Sequence, residues 1–202
     1  MKDRPILMTP ENAQKCHEGQ KTMTRRILKP QPEEGATIKG PEWYAPCAYD
    51  KDGQMYPGDE VFGVYSEDGD WGVRCPYGTL GSKLWVREAM TVMDGQVYYK
   101  GNYYPGLSPH LFYRPSINMP KKYCRTWLEL TEVRVERVQD ISEEDAKAEG
   151  CQASTSVTMK DGSPCYTLPF QNLWTSIHGI DNPKSWEANP WVWCLTFKRI
   201  TP

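Results

Sequence analysis

The stretch CRTWLELTEVRVERV, residues 124–138, alternates apolar and polar side chains more cleanly than any other part of the chain. A period of two marks a strand with one face buried. Leu128, Leu130, Val133, Val135 and Val138 are the inward candidates, with Trp127 one residue out of phase. The phase slips near Thr131–Glu132, which predicts a β-bulge there. Other strand-like stretches lie on both sides of this one, and most are not separated by crossover helices. That order favours a mixed antiparallel sheet or a small barrel over a doubly wound sheet.

The flanking elements carry their own punctuation. RPILM (4–8) is a short strand candidate. Thr9 followed by Pro10 suits a helix N-terminus, PENAQKCHE supplies two to three turns, and Gly19 suits the left-handed end. Residues 30–80 are rich in Pro, Gly, Asp and Tyr and hold only short strand pieces such as EVFGVY (60–65) and WGVRC (71–75). They read as a hairpin-bearing insertion, not a separate domain. SKLWVREAM (82–90) alternates like a strand, and QVYYK (96–100) follows an Asp94-Gly95 turn, so the two are expected to pair as a hairpin. Residues 101–120 form a second insertion, a long loop of the kind that is functional or disordered. SEEDAKAEG (142–150) opens with a capping box and ends in Gly150. LPFQNLWTSIHG (168–179) places Phe170, Leu173, Trp174 and Ile177 at helical spacing, and NPWVWCLTFKRI (189–200) is the last strand. The expected class is α+β, one domain over residues 1–202.

Composition narrows the function classes. A formal net charge of −2 excludes a whole-surface basic footprint for nucleic acid but not a local basic cleft. No apolar run approaches the roughly 20 residues of a membrane span, and MKDRPILMTP lacks a signal-peptide core. A cytoplasmic protein with no membrane partner is expected. The seven cysteines form no CxxC pair, so free reduced thiols are expected. A zinc site from Cys47, Cys75 and a histidine has no support in the spacing, and no metal or cofactor is expected.

There is no GxGxxG, phosphate-loop lysine, HExxH or GxSxG, and His17, His110 and His178 are scattered. What stands out is EGQKTMTRR (18–26), just past the first helix. Two readings compete for Lys21, Thr22, Thr24, Arg25 and Arg26. Cations at a helix C-terminus are favoured by about 0.3–1 kcal/mol each without any chemistry. Alternatively the stretch is an active site. A threonine hydroxyl becomes a nucleophile when a base takes its proton, and an amine among cations and out of water can be that base. A carboxylate elsewhere must then hold the amine or protonate a leaving group. In a straight strand Lys21 and Thr24 would face opposite ways, so the chemical reading requires a turn here.

GQKTMTRR (19–26) resembles the G-x-K-T-x-T motif of the ASCH family, which has a PUA-like β-barrel fold. GSKLWVRE (81–88) resembles that family's G-D-x-L-x-V strand in the LWVRE form of its phage members, with Ser82 where the family usually has Asp. GDEVFGV (58–64) competes for that strand with poorer valine spacing. DISEEDAKAEG (140–150) and NPWVWCLTFKRI resemble the family's helix and closing strand, so the likeness spans nearly the whole chain in order.

The resemblance implies a small mixed PUA-like barrel with flanking short helices and the long loop and hairpin insertions. It further implies an amidohydrolase on N4-acylated cytidine or a related modified nucleoside or base. Thr24 would be the nucleophile, Lys21 its base, and Glu149 the carboxylate. Arg25, Arg26, Thr22, Trp71 and Tyr77 would bind substrate, with Trp43 a further aromatic candidate. The alternatives are a PUA-like module that binds RNA without catalysis, or a phage structural or morphogenetic protein. For the RNA reading, Lys121, Lys122 and Arg125 would add charge and Tyr103, Tyr104 or Tyr113 could stack.

Overall fold

The structure, a computed structural model, describes residues 3–108 and 110–201. In chain order its strands are β1 (Arg4–Leu7), β2 (Met23–Ile27), β3 (Ile38–Tyr44), β4 (Cys47–Tyr49), β5 (Met55–Pro57), β6 (Val61–Ser66), β7 (Gly72–Arg74), β8 (Lys83–Arg87), β9 (Met90–Met93), β10 (Gln96–Tyr99), β11 (Trp127–Arg137) and β12 (Trp191–Ile200). The α-helices are α1 (Pro10–Glu18), α2 (Glu143–Ala148) and α3 (Thr167–His178).

The alternating stretch becomes β11, at the centre of a five-stranded sheet ordered β1-β8-β11-β12-β2. β1 runs parallel to β8, and the other pairs are antiparallel. The register of β11 on β12 shifts between Leu130 and Glu132, where the phase slip predicted a bulge. The extra residue returns Val133 and Val135 to the face of Leu128 and Leu130, opposite Leu195 and Trp193. That face is covered by Ala13 and Cys16 of α1 and by Val64 and Cys75 of the 30–80 insertion. Each fully buried leucine there contributes about 1.5–3 kcal/mol. The opposite face, Val192 and Cys194, packs against Ala146 of α2 and against Phe170 and Trp174 of α3.

The α+β class holds, strand-rich with few helices, but among the described residues the sheets are open and no barrel closes. β1 spends its one described pairing on β8 and then turns into α1, while β2 pairs only with β12. The two therefore remain free edges.

The expected hairpin is also corrected. QVYYK pairs with Met90–Met93 around Asp94 and Gly95, both at positive φ, and not with Lys83–Arg87. The strand breaks at Glu88, which is fully buried and held by two bonds from Arg125, Nε to Oε1 at 2.8 Å and Nη2 to Oε2 at 2.7 Å. The 30–80 insertion folds as a β3-β6-β7 sheet plus the β4–β5 hairpin, so GDEVFGV belongs to it and GSKLWVRE supplies the main-sheet strand. Residues 101–108 and 110–120 hold no strand beyond a single bridge from Arg114 to Met90. No helix among the described residues is long and apolar enough to cross a membrane.

Candidate active site

The turn the chemical reading required is present. Thr9 caps α1 by accepting from the Asn12 amide at 3.3 Å, and Gly19 ends it at φ 76°. The amides of Gln20 and Lys21 both donate back to the Lys15 carbonyl, at 2.9 and 3.2 Å. Lys21 therefore lies in a bend before β2 starts at Met23, and the strand's alternation does not govern its direction. The Thr22 amide then donates to the Ala148 carbonyl at 2.9 Å, which ties the bend to the last turn of α2.

Helix α2 is set by its own caps. Ser142 accepts from the Asp145 amide at 3.0 Å, and Gly150 follows the helix at φ 84°. Gly150 is also required for closeness, since a Cβ there would lie 3.1 Å from Lys15 Cδ and 3.3 Å from Lys21 Cβ. Two lysines satisfy carbonyls at this helix end: Lys15 Nζ donates to Gly150 O at 2.7 Å, and Lys21 Nζ to Glu149 O at 2.7 Å. Lys21 Nζ also donates to Glu149 Oε2, an ion pair whose members are 2% and 4% exposed. The other carboxylate oxygen, Oε1, has no hydrogen bond and lies 3.6 Å from Arg25 Nη1.

On β2, hydrogen-bonded pairing to β12 falls on Thr22 and Leu28, so the outward backbone groups are those of Met23, Arg25 and Ile27. Thr24 and Arg26 lie opposite Leu195 and Trp193, on the α1 face, while Arg25 lies opposite Cys194 on the α2–α3 face. Arg25 is fully engaged: Nε donates to Glu136 Oε1 at 3.1 Å, and Nη2 to Asp145 Oδ2 at 2.6 Å and to Glu136 Oε1. Burial disfavours its charge, but the carboxylates of Asp145, Glu149 and Glu136 outweigh that and keep the guanidinium cationic. Arg26 Nη2 donates to the Leu7 carbonyl at 2.6 Å, while its Nε is buried without a partner.

A cavity of about 860 Å³ opens at the free edge of β2, between α3 and the β1–α1 junction. It falls within the size range of small-molecule sites, about 300–1,000 Å³. Lys21, Thr24, Glu149, Arg25, Arg26 and Tyr77 all line it. Thr24 is buried, and its hydroxyl has no hydrogen-bond partner among the described residues. Burial raises the Tyr77 phenol above its ordinary value.

Three candidates fall elsewhere. The Thr22 side chain is exposed and off the cavity wall. Trp71 packs against the main core, its amide donating to Ser66 Oγ at 3.0 Å, and Trp43 is 61% exposed on the insertion. The charges suggested for RNA are spent away from the cavity: Arg125 on buried Glu88, and Lys121 on Asp3 at 2.6 Å. Lys122 stacks over the ring of Tyr123, and none of Tyr103, Tyr104 and Tyr113 lines the cavity. Ser82 sits in the turn before β8, accepting from the Thr79 amide at 3.0 Å, and lies off the cavity wall. All seven cysteines are free, and among the described residues no cluster of three or more His, Cys, Asp or Glu is placed to hold a metal.

Sequence reasoning missed part of the wall. Leu173 and Ile177 read as core positions of α3, yet both line the cavity, and Ile177 is 52% exposed. A four-residue apolar stripe on a helix whose core needs are met by Phe170 and Trp174 was the available signal. Lys29, Arg74, Lys100, His178 and Lys184 also line the cavity, and no local pattern unites them. Compared with protein-family models, curated proteins and solved structures, the chain matches none.

Proposed function

We propose that the protein is an amidohydrolase acting on N4-acylated cytidine or a related modified nucleoside or base. The observation that carries this reading is the convergence of Lys21, Glu149 and an unpaired Thr24 hydroxyl on one cavity. Capping of α2 accounts for Lys21 meeting Glu149, but not for an unpaired Thr24 hydroxyl on the same wall, since a polar group left unsatisfied on burial costs about 1–3 kcal/mol. In the proposed reaction the Lys21–Glu149 proton shifts to the carboxylate, leaving a neutral amine. Thr24 Oγ then bonds to the acyl carbon as its proton passes to Lys21. The C–N bond breaks as the exocyclic nitrogen takes a proton from the pair, releasing cytidine. Water hydrolyses the acyl-threonine and returns the free hydroxyl.

Apolar walls from Phe170, Leu173 and Trp174 would accept the base and acyl group. The test is release of the deacylated base, nucleoside or nucleotide from a panel of N4-acylated cytidines and their 5′-phosphates. Release by the wild type that collapses in Lys21→Met supports the reading. Background release from the whole panel by the wild type overturns it.

A second reading, binding without hydrolysis, has one specific observation in its favour. Lys21 caps the α2 carbonyls as Lys15 does, which a purely structural lysine would also do. Tight binding of cytidine derivatives with no turnover would select it.

A further inference from the structure

Apart from Lys21 and Arg25, which are engaged with Glu149, the charged side chains of the cavity wall are Arg26, Lys29, Arg74, Lys100 and Lys184. All five are cationic. None has a carboxylate partner among the described residues. They come from β2, the β2–β3 connection, β7, the residue after β10 and the segment after α3, so no single helix end or local run explains their meeting.

Soluble surfaces normally intersperse charges of both signs. This chain has 26 acidic residues and a net charge of −2, yet among the described residues the only carboxylate on this wall is the buried, paired Glu149. Like charges around one concavity repel, and low-dielectric walls concentrate their field. The imidazole of His178, on the same wall, registers that field. It is held below its ordinary value by burial first, then by Lys184, Arg26 and Lys29.

We propose that the ligand of this cavity carries phosphate, so that the substrate is a nucleotide unit and not a free nucleoside. The apolar wall of α3 would take the base, the Lys21–Thr24–Glu149 group the acyl nitrogen, and the rim cations the phosphate oxygens. This rests on the amidohydrolase reading for the identity of the base. The phosphate requirement is carried by the rim alone, and it can be tested by binding without turnover.

The experiment measures affinity of the full chain for cytidine, cytidine 5′-monophosphate and a short oligocytidylate at low and high salt. The same series is run as N4-acetyl derivatives for kcat/KM. Lys29→Gln combined with Lys184→Gln removes two exposed rim charges that hold no partner and play no part in the chemistry. The proposal expects phosphate to tighten binding about tenfold or more over the nucleoside, with the gain shrinking in salt and in the double variant. The kcat/KM advantage of the phosphorylated derivatives over the nucleoside should shrink in that variant as well. A gain already present with the monophosphate identifies a small nucleotide, and a gain seen only with the oligomer identifies a strand. Equal affinity and equal kcat/KM for nucleoside and both phosphorylated forms overturn the proposal. Phosphate-dependent binding without hydrolysis would retain it and dismiss the amidohydrolase. Hydrolysis indifferent to phosphate would do the reverse.

Discussion

Lys21 and Glu149 stand 128 residues apart in the chain, and the lysine ammonium contacts both the backbone carbonyl and the carboxylate of the glutamate. With both side chains almost wholly buried, neither charge has water to fall back on. Removing one partner strands the other. Lys21→Met and Glu149→Leu should each destabilise the fold by about 3–5 kcal/mol, while the double replacement recovers most of that loss. Chemical denaturation of the three variants checks it. Activity should be absent in all three, including the restabilised double variant.

Thr24→Val separates chemistry from structure in the opposite way. The hydroxyl it removes has no partner, so stability should change by less than about 1 kcal/mol. Release of cytidine should fall to background, and Thr24→Ser should restore a fraction of it. A thermal melt beside the turnover assay reads both effects.

The Arg125–Glu88 pair is the internal comparison. Its carboxylate is fully buried, its guanidinium is partly exposed, and the pair lies off the cavity wall. Glu88→Ala should cost about 3–5 kcal/mol of stability, yet leave kcat per folded molecule unchanged at temperatures where the variant remains folded.

Acid should loosen the docking of α2. Burial alone would raise the Asp145 carboxyl, but its bonds to Arg25 and Arg134 outweigh that and hold it below the ordinary carboxylate value. Glu143 behaves likewise, with burial opposed by the Thr167 hydroxyl and the amides of Tyr166 and Thr167. A depressed carboxyl contributes stability that is fully present above its ordinary value, about 4, and is lost as pH falls toward the folded-state value. Denaturation midpoints should therefore drop below about pH 4. Asp145→Asn should be weaker at neutral pH and show a shallower acid slope.

Thiol labelling should report on the same region. Burial raises Cys16 and Cys75 to about 11 and pushes Cys194, beside Arg25, up as well, whereas Cys47 is exposed. A maleimide or iodoacetamide should modify Cys47 first in the native protein, and reach Cys194 only when α2 and α3 lift from the sheet. Peptide mass mapping against time checks the order.

Where the sequence was readable, the cause was local. Thr9, Pro10 and Gly19 fix α1 by capping, Ser142 and Gly150 bound α2, and the misfit between Leu130 and Val133 marks the bulge because alternation cannot absorb an extra residue. What escaped was long-range. The break at Glu88 depends on Arg125, 37 residues away, so nothing near Glu88 announces that β8 ends there. The barrel failed to close because β1 spends its pairing on β8 and β2 opens onto a cavity. Lys21 and Thr24 stood out in their own stretch and Glu149 was suggested by a motif resemblance, but the bend that frees Lys21 from the strand depends on backbone bonds to Lys15 and to α2. The rim cations come from separate segments and share no spacing.

The most direct measurement is the fate of the acyl group. Wild-type protein mixed with N4-acetylcytidine or its 5′-phosphate and quenched in acid during turnover should carry one acetyl group. That group should map to the peptide containing Thr24 and be missing from Thr24→Val. Cytidine released at an unchanged rate by Thr24→Val, or no release by the wild type from any acylated substrate, would contradict the account.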